Sequence, residues 1–346
     1  MNNPKFQENI AQAIDRALDA AGLHRNGGGG GGVRLTIDNA LRAAGLAQGA
    51  ELAGAQSETL IDEGAFVTRC HTSVHGSRIY KLFVPSNCSA SPMPLILMLH
   101  GCKQNPDDFA VGTRMNKLAE QHGFLVAYPA QTARANGSNC WNWFEPAHQH
   151  RDGAEPALLA GIAAEVGRTH AVDDGRVFVA GLSAGAAMAV ILGREYPERF
   201  AAVAVHSGLP AGAAHDVPSA FAAMRGRVGA PARTLAAAHA MPAIVFHGDA
   251  DATVAAANGA AVVGHAVSAF EHNALSLQRL DHGTTSEGGK RCTVTRFVDA
   301  DGRSAVEDWV VHGGAHAWFG GSTAGSYTDP RGPDASAEIV RFFLRR

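Results

Sequence analysis

A serine between two glycines is the first feature of this sequence whose residue types and spacing could do chemistry. Ser183 is the centre of GLSAG (residues 181–185), which follows the apolar segment RVFVAG and begins the helical pattern AAMAVILGRE. A tight turn between a strand and a helix exposes a serine hydroxyl, and glycines two residues away let neighbouring backbone approach closely. The sequence therefore predicts that Ser183 is a nucleophile. It also predicts that the N–H of Ala184, at the helix N-terminus, stabilises an oxyanion.

A serine hydroxyl is a weak nucleophile that needs a base, and the base needs an acid that holds it in the right tautomer. After a strand–turn–helix nucleophile, the acid and the base both follow the serine in the chain. The segment HGDADATV offers two carboxylates, Asp249 and Asp251. Asp251 is favoured because it is the fifth residue of an HGxxDxxV arrangement, on the loop that leaves a strand. Asp249 stays the alternative, and it is otherwise expected to cap the loop or to be solvated.

Two histidines follow the last predicted strand, AVEDWVV, in the Gly-rich segment HGGAHAWFGG. His312 comes directly after the strand, whereas His316 lies further along a loop able to reach over the sheet edge toward Ser183. We therefore expect His316 to be the general base, with His312 as the alternative. Two histidines at this spacing could also bind a metal from a helix, but Gly313 and Gly314 disfavour a helix there.

A second oxyanion donor is expected from the loop after the apolar segment PLILMLH, which reads HGCKQN over residues 100–105. Gly101 permits close backbone approach, and the N–H of Cys102 is the candidate donor. A simple strand-ending turn is the alternative interpretation of this motif.

An aromatic segment is expected to line the substrate cleft. CWNWF begins at Cys140 and has no helical or strand period, and we assign Trp141 and Trp143 within it, together with Trp318, to substrate binding. Core packing is the alternative for these rings. If this loop lies over the oxyanion loop, a Cys102–Cys140 disulfide would join the two and hold the donor N–H in place.

Strands and helices must alternate to position these residues, and they do so from about residue 64 onward. The predicted strands are short, rich in β-branched or aromatic residues and bounded by Pro, Gly, Asn or Asp: FVTRC, RIYKLFV, PLILMLH, FLVAYP, RVFVAG, AAVAVHS and AIVFHG. Several are apolar almost throughout, as expected for parallel strands buried on both faces. Helical patterns lie between them, for example at 155–169, 184–195 and 334–344. This alternation predicts the α/β class with a doubly wound, mostly parallel sheet.

Composition and charge disfavour several classes of function. The 29 Lys and Arg against 32 Asp and Glu give a formal net charge of −3, and no basic run marks a nucleic-acid site. No apolar stretch is long enough for a membrane span. The 5 cysteines contain no CxxC pair, which disfavours a structural zinc site. We therefore expect neither a metal nor a cofactor, and no nucleic-acid partner.

The first sixty residues differ in character from the rest. IDRALDAAGL (14–23) and IDNALRAAGL (37–46) are near copies with apolar residues at helical spacing, and a run of six glycines (27–32) separates them. We expect residues 1–60 to form a helical, glycine-linked extension and residues 61–346 to form the catalytic domain. The extension is interpreted as short amphipathic helices, with docking to an apolar granule surface as the alternative.

Six segments, taken together and in order, resemble the esterase family of short-chain polyhydroxyalkanoate depolymerases, which have the α/β-hydrolase fold. They are HGCKQNPDDFAVGTRMNKLAEQHGFLVAYPAQ, CWNWFEPAHQ, GLSAGAAMA, VHSGLP, HGDADATV and HGGAHAWFGG, and the tail GSYTDPRGPDASAEIVRFFL is similar to that family too. The resemblance implies hydrolysis of poly(3-hydroxybutyrate) or related short-chain polyesters and oligomers. It implies a triad of Ser183, Asp251 and His316, and an oxyanion-hole position at Cys102. Feruloyl and acetyl-xylan esterases share this branch of the fold, so a carbohydrate-linked ester is the alternative substrate.

The compartment is left open by the sequence. Acidic residues interrupt any apolar stretch near the N-terminus, so no secretory signal is visible, which favours the cytoplasm. The family resemblance favours export. The alternative from another class is a non-catalytic polymer-binding protein, which is disfavoured because all three triad positions are filled. The expected partner is a polyester or oligoester substrate.

Overall fold

The computed structural model describes residues 64–88, 91–227, 239–287 and 289–346. The helical extension expected over residues 1–60 lies outside these ranges, whereas most of residues 61–346 lie within them. Within them the chain forms a ten-stranded sheet with helices on both faces. No helix in the described ranges is both long and apolar enough to cross a bilayer.

The main sheet has a parallel centre and antiparallel strands at each edge. In chain order its strands are β1 (Ala65–Ser73), β2 (Gly76–Val84), β3 (Met93–Leu99), β4 (Leu125–Pro129), β5 (Val172–Leu182), β6 (Ala202–His206), β7 (Ala243–Gly248), β8 (Gln278–Glu287), β9 (Lys290–Val298) and β10 (Ser304–Val311). Their order in space is β1-β2-β4-β3-β5-β6-β7-β10-β9-β8. All pairs from β4 to β10 in that order are parallel, and the pairs outside them are antiparallel. The predicted α/β class with a mostly parallel sheet is confirmed.

Helices cover both faces of this sheet. Those of the described ranges are α1 (Pro106–Thr113), α2 (Met115–His122), α3 (Ala154–Thr169), α4 (Ala184–Glu195), α5 (Val217–Met224), α6 (Ala257–His272) and α7 (Ala335–Phe343). Buried side chains of α3 to α6 belong to one core cluster, and those of α1, α2 and α7 belong to the other. The sheet lies between the two clusters, which is the doubly wound arrangement predicted from the alternation of strands and helices.

The strand β3 shows why the central strands are apolar throughout. Leu95, Leu97 and Leu99 enter one core cluster, whereas Ile96 and Met98 enter the other. Successive side chains of a strand point to opposite faces, so a strand covered on both sides needs apolar residues at every position. The edge hairpin of β8 and β9 lacks this pattern, and the sequence does not predict it.

The parallel strands end at one edge of the sheet, where the residues singled out by the sequence follow them. β3 ends directly before His100, and β5 ends directly before Ser183. β7 leads into the loop of Asp251, and β10 leads into the loop of His316. Ligands of open α/β sheets bind at the carboxyl ends of such strands. The fold therefore brings the candidate triad to the edge where a site is expected.

Candidate active site

Ser183 lies in a strained turn between β5 and α4. Its backbone φ is 58° and its ψ is −120°, a conformation that residues other than glycine rarely adopt. The Ser183 N–H donates to the carbonyl oxygen of His206 at 2.9 Å, which fastens the turn to the end of β6. The serine is partly exposed although most of its neighbours are buried. The turn thus leaves a hydroxyl accessible at the edge of the sheet.

The glycines of the GLSAG turn are required by close backbone contacts. A Cβ at Gly185 would lie 2.1 Å from the carbonyl oxygen of Leu99, and a Cβ at Gly181 would lie 2.4 Å from the carbonyl carbon of Gly185. Any larger residue at either position would push the turn away from β3 or from α4. The motif spacing is therefore a consequence of how tightly strand, turn and helix pack.

Asp251 and His316 form a buried hydrogen-bonded pair. His316 Nδ1 donates to Asp251 Oδ2 at 2.7 Å, and Asp251 Oδ1 accepts the N–H groups of Thr253 at 2.9 Å and Val254 at 2.8 Å. Burial alone would raise the pKa of Asp251, but the charge and hydrogen bonds of His316 and His247 hold this pKa well below its usual range. The Asp251 carboxylate therefore fixes the orientation of the His316 ring. Because Nδ1 carries the proton that it donates to Asp251, Nε2 is the nitrogen that can accept a proton.

The two alternatives from the sequence, Asp249 and His312, pair with each other. His312 Nδ1 lies 2.8 Å from Asp249 Oδ2, and Asp249 Oδ1 accepts the N–H of Gly313 at 2.7 Å. Both side chains are partly exposed, and neither lines the cavity beside Ser183. Asp249 thus caps the start of the loop that carries the base. Within the described part of the chain, no group of three or more His, Cys, Asp and Glu side chains is arranged to hold a metal ion.

Ser183 and His316 open onto one largely apolar cavity. The space between its lining atoms is about 710 Å³, including the open mouth. Within the described residues, the His316 ring is hydrogen-bonded to Asp251 and not to Ser183. The other lining residues are Gly101, Cys102, Gln104, Cys140, Trp143, Phe144, Leu182, Ala184, Leu209, Val217, Ala220, Phe221, Met224, Thr253, Val254 and Tyr327.

One wall of the cavity is an apolar stripe of α5. Val217, Ala220, Phe221 and Met224 recur at i, i+3, i+4 and i+7, the spacing that places side chains on one face of a helix. This wall is not among the sites expected from the sequence. The stripe in VPSAFAAM is the signal that could have revealed it, but the same stripe is equally typical of a core-facing helix.

Backbone donors line the cavity near Ser183. Cys102 and Ala184 both belong to its lining, and Ala184 begins α4, whose first N–H groups have no acceptor within the helix. The N–H of Gly101 is not available for an oxyanion because it donates to Gln104 Oε1 at 2.9 Å. The two positions expected from the sequence are thus placed in the same cavity as the serine.

A disulfide joins the oxyanion loop to the aromatic loop. Cys102 and Cys140 are bonded with their Cα atoms 4.2 Å apart, and both residues line the cavity. Beside the bridge, the N–H of Lys103 donates to the carbonyl oxygen of Ser138 at 2.7 Å. These two links hold the loops together next to the Cys102 N–H.

A buried carboxylate, Glu155 of α3, anchors the aromatic loop. Its Oε2 accepts the backbone N–H of Asn142 at 2.8 Å, and its Oε1 accepts the side-chain amides of Asn142, also at 2.8 Å, and of Gln131. Gln131 also donates to the carbonyl oxygen of Cys140 at 2.9 Å and accepts from Arg78. This network is not visible in the sequence, where Glu155 is an ordinary acidic residue in the first turn of a helix.

The three tryptophans assigned to substrate binding lie in different surroundings. Trp143 lines the cavity. Trp141 does not: it is fully buried, and its Nε1 donates to the carbonyl oxygen of His100 at 3.0 Å, so it supports the oxyanion loop. Trp318 is also fully buried and stacks on the ring of His206 at 4.9 Å. Both rings therefore pack in the interior of the protein.

His206 connects the turn of Ser183 to the loop that carries His316. Its carbonyl oxygen accepts the Ser183 N–H, and its ring Nε2 accepts the N–H of Phe319 at 3.1 Å, shortly after His316 in the chain. Burial holds the pKa of His206 well below its usual range, which keeps the ring neutral and able to accept this hydrogen bond. In the sequence, His206 is only a histidine at the end of a strand.

Comparison with known proteins relates this chain to esterases. Residues 78–273, more than half of the chain, match the family described as Esterase PHB depolymerase. Poly(3-hydroxyalkanoate) depolymerase C of Paucimonas lemoignei is 31% identical over 243 residues, which are 67% of this chain and 56% of that protein. Feruloyl esterase B of Neurospora crassa is 35% identical over 159 residues, which are 44% of this chain and 52% of that protein. The chain thus spans about half the length of these curated relatives.

Solved structures agree on the fold. The acetyl xylan esterase from Aspergillus awamori superposes with a TM-score of 0.61 at 19% sequence identity, covering 81% of this chain and 100% of that one. At such low identity the likeness shows the fold alone. The segment that matches the family model contains Ser183 and Asp251 and most of the parallel sheet. This chain belongs to the PHB depolymerase esterase family and has the α/β-hydrolase fold.

Proposed function

We propose that this chain hydrolyses carboxylic esters through an acyl-enzyme on Ser183, with His316 as general base and Asp251 as the orienting acid. The observation that carries the proposal is the buried Asp251–His316 pair beside a serine held in a strained turn. Serine and histidine line one apolar cavity, where an ester can lie between them. The matched relatives are named esterases and depolymerases, which supports the same class of reaction. We assign this activity to a catalytic domain over residues 61–346.

In the first half of the reaction, Ser183 Oγ attacks the carbonyl carbon of the ester. His316 Nε2 takes the hydroxyl proton, and Asp251 stabilises the imidazolium that forms. The carbonyl oxygen becomes an oxyanion that accepts hydrogen bonds from the N–H groups of Cys102 and Ala184. Collapse of this intermediate breaks the ester C–O bond, and His316 passes its proton to the departing alcohol oxygen.

In the second half, a water molecule attacks the acyl carbon while His316 Nε2 takes a proton from this water. The same backbone donors hold the new oxyanion, and the proton returns to Ser183 as the carboxylic acid leaves. Each step uses side chains and backbone groups of this chain, so we expect activity without an added cofactor.

The substrates that we propose are poly(3-hydroxybutyrate), related short-chain polyesters and their oligomers. The cavity presents mostly apolar side chains, among them Trp143, Phe144, Leu209 and Met224, which suit an aliphatic acyl chain. Relatives named as polyhydroxyalkanoate depolymerases match 67% and 74% of this chain, whereas two relatives named as acetylxylan esterases each match 42%. A carbohydrate-linked ester is the second candidate, since feruloyl esterase B is 35% identical over its matched part.

The protein is expected to clear an emulsion of amorphous poly(3-hydroxybutyrate) and to release soluble oligomers. Acetylated xylan and methyl ferulate should be hydrolysed far more slowly, because the apolar cavity offers few groups that could hydrogen-bond a sugar. Turbidity of the emulsion and pH-stat titration of the released acid give the rates. Hydrolysis of acetylated xylan or methyl ferulate without clearing of the polymer would support the second candidate and contradict the first.

Ser183→Ala and His316→Ala should each lower kcat on a soluble ester by at least about a thousandfold, because nucleophile and base act as one unit. Asp251→Asn should lower kcat by a comparable factor, because the amide can hold the imidazole in the wrong tautomer. Initial rates at saturating substrate measure the loss, and circular dichroism checks that each variant is folded.

The exposed Asp249–His312 pair supplies the matched control for this series. Asp249→Asn and His312→Ala remove an equivalent hydrogen bond outside the cavity, so kcat should fall by less than about tenfold. If Asp249→Asn inactivated the protein while Asp251→Asn stayed active, the role of the acid would belong to Asp249 and the proposed triad would be wrong.

Reduction of the Cys102–Cys140 disulfide should lower both stability and turnover. In the chain-entropy model, a bridge across a sequence separation of 38 residues stabilises by about 3 to 4 kcal/mol. Release of the loop also loosens the Cys102 donor, so kcat should fall, but by less than the ~100-fold loss that follows removal of such a donor. Cys140→Ser should reproduce both effects in thermal melts and rate assays. The matched control is Cys70→Ser, an exposed unbridged cysteine on β1; equal melting temperatures for the two variants would contradict the role of the bridge.

A further inference from the structure

One polar group in the wall of the cavity has no use in the triad. Thr253 lines the cavity beside Ser183 and His316, and only 7% of its surface is exposed. Within the described residues, its buried Oγ1 has no hydrogen-bond partner. A buried hydroxyl without a partner destabilises a protein, so such a group calls for an explanation.

Apart from Ser183, the candidate nucleophile, the other polar side chains that line the cavity already have partners. Gln104 accepts the N–H of Gly101 through Oε1 and donates through Nε2 to Asp108 at 3.0 Å. His316 is paired with Asp251, as described above. The Thr253 hydroxyl therefore differs from the rest of the wall, where, Ser183 aside, the side chains are apolar or already have partners within the protein.

The backbone of Thr253 is fixed, and a change of side-chain rotamer would move the hydroxyl without moving this backbone. Its N–H donates to Asp251 Oδ1 at 2.9 Å, which holds the residue next to the acid of the triad. Rotation about the Cα–Cβ bond exchanges the positions of the hydroxyl and the methyl group among the staggered rotamers. The residue can thus present an oxygen to a substrate in the cavity without moving the chain that supports Asp251.

We propose that Thr253 Oγ1 is a specificity-determining group that hydrogen-bonds an oxygen on the β-carbon of the acyl chain. The inference rests on the proposed polyester function, because every acyl unit of a 3-hydroxyalkanoate polyester carries such an oxygen. This atom is an ester oxygen inside the chain and a hydroxyl at its end, and a threonine hydroxyl can donate to both. A plain alkanoyl group has only a CH₂ there. A site that binds a substrate oxygen discriminates against the analogue that lacks it.

The test compares methyl 3-hydroxybutyrate with methyl butyrate, which differ only in the β-oxygen. Thr253→Val keeps the branched shape and the backbone N–H to Asp251 but removes the hydroxyl. The wild-type protein should favour the hydroxy ester in kcat/KM, and Thr253→Val should lower that ratio by about tenfold or more. Thr253→Ser, which keeps a hydroxyl, should restore most of the ratio. The melting temperature of Thr253→Val should equal or exceed that of the wild type, because an unpartnered hydroxyl is lost.

Two outcomes would overturn the inference while the proposed function stands. One is an unchanged substrate ratio in Thr253→Val, in a protein that still clears the polymer. The other is an equal loss on both esters together with a lower melting temperature, which marks a structural role for Thr253. Thr253→Ala is measured in parallel, so that poor folding of one variant does not leave the ratio unmeasured. A wild-type protein that cleaves acetylated xylan but neither butyrate ester would instead overturn the proposed function itself.

Discussion

A negative charge held inside the protein determines how this site is built. Burial of a carboxylate costs several kcal/mol unless donors compensate it, and Asp251 is buried at the end of a loop. The backbone N–H groups of Thr253 and Val254 hold one oxygen, and His316 holds the other. His247 Nε2 lies 3.5 Å from that second oxygen. The backbone donors lie on the loop of Asp251 and His316 lies on another loop, so the charge has all of these partners only when the two loops meet.

The turn of Ser183 is linked to the same unit through His206. This neutral ring accepts a hydrogen bond from the base loop, and its carbonyl oxygen accepts the N–H of Ser183. Close packing of Gly185 against Leu99 then holds the turn on β3, beside the oxyanion loop. The geometry of the candidate triad is therefore supported by buried backbone contacts. The exposed side chain of Asp249 is not part of these contacts.

The parts that could be predicted from the sequence are those whose chemistry demands particular residue types. The apolar strands, the glycines around Ser183 and the position of Asp251 on the loop after β7 belong to these parts, because strict backbone geometry permits few other residue types there. The α5 wall, the Glu155 network and the burial of Trp141 depend on which distant segments meet, and local patterns do not contain that information. The polar hairpin of β8 and β9 lies at an edge of the sheet, where burial imposes no clear alternation. Substrate choice likewise could not be predicted from local patterns, because the cavity walls come from loops and α5 rather than from the strands.

Covalent labelling by a fluorophosphonate tests the central claim most directly, because it reports the nucleophile and the state of its base without any assumption about the natural ester. Since the pKa of Asp251 is held low, this carboxylate stays charged near neutral pH, and the labelling rate should not change through protonation of Asp251 in that range. Peptide mass spectrometry should find a single adduct, on Ser183, that forms rapidly in the wild-type protein and very slowly in His316→Ala. Equally fast labelling of Ser183→Ala, or an adduct on another residue, would contradict the account.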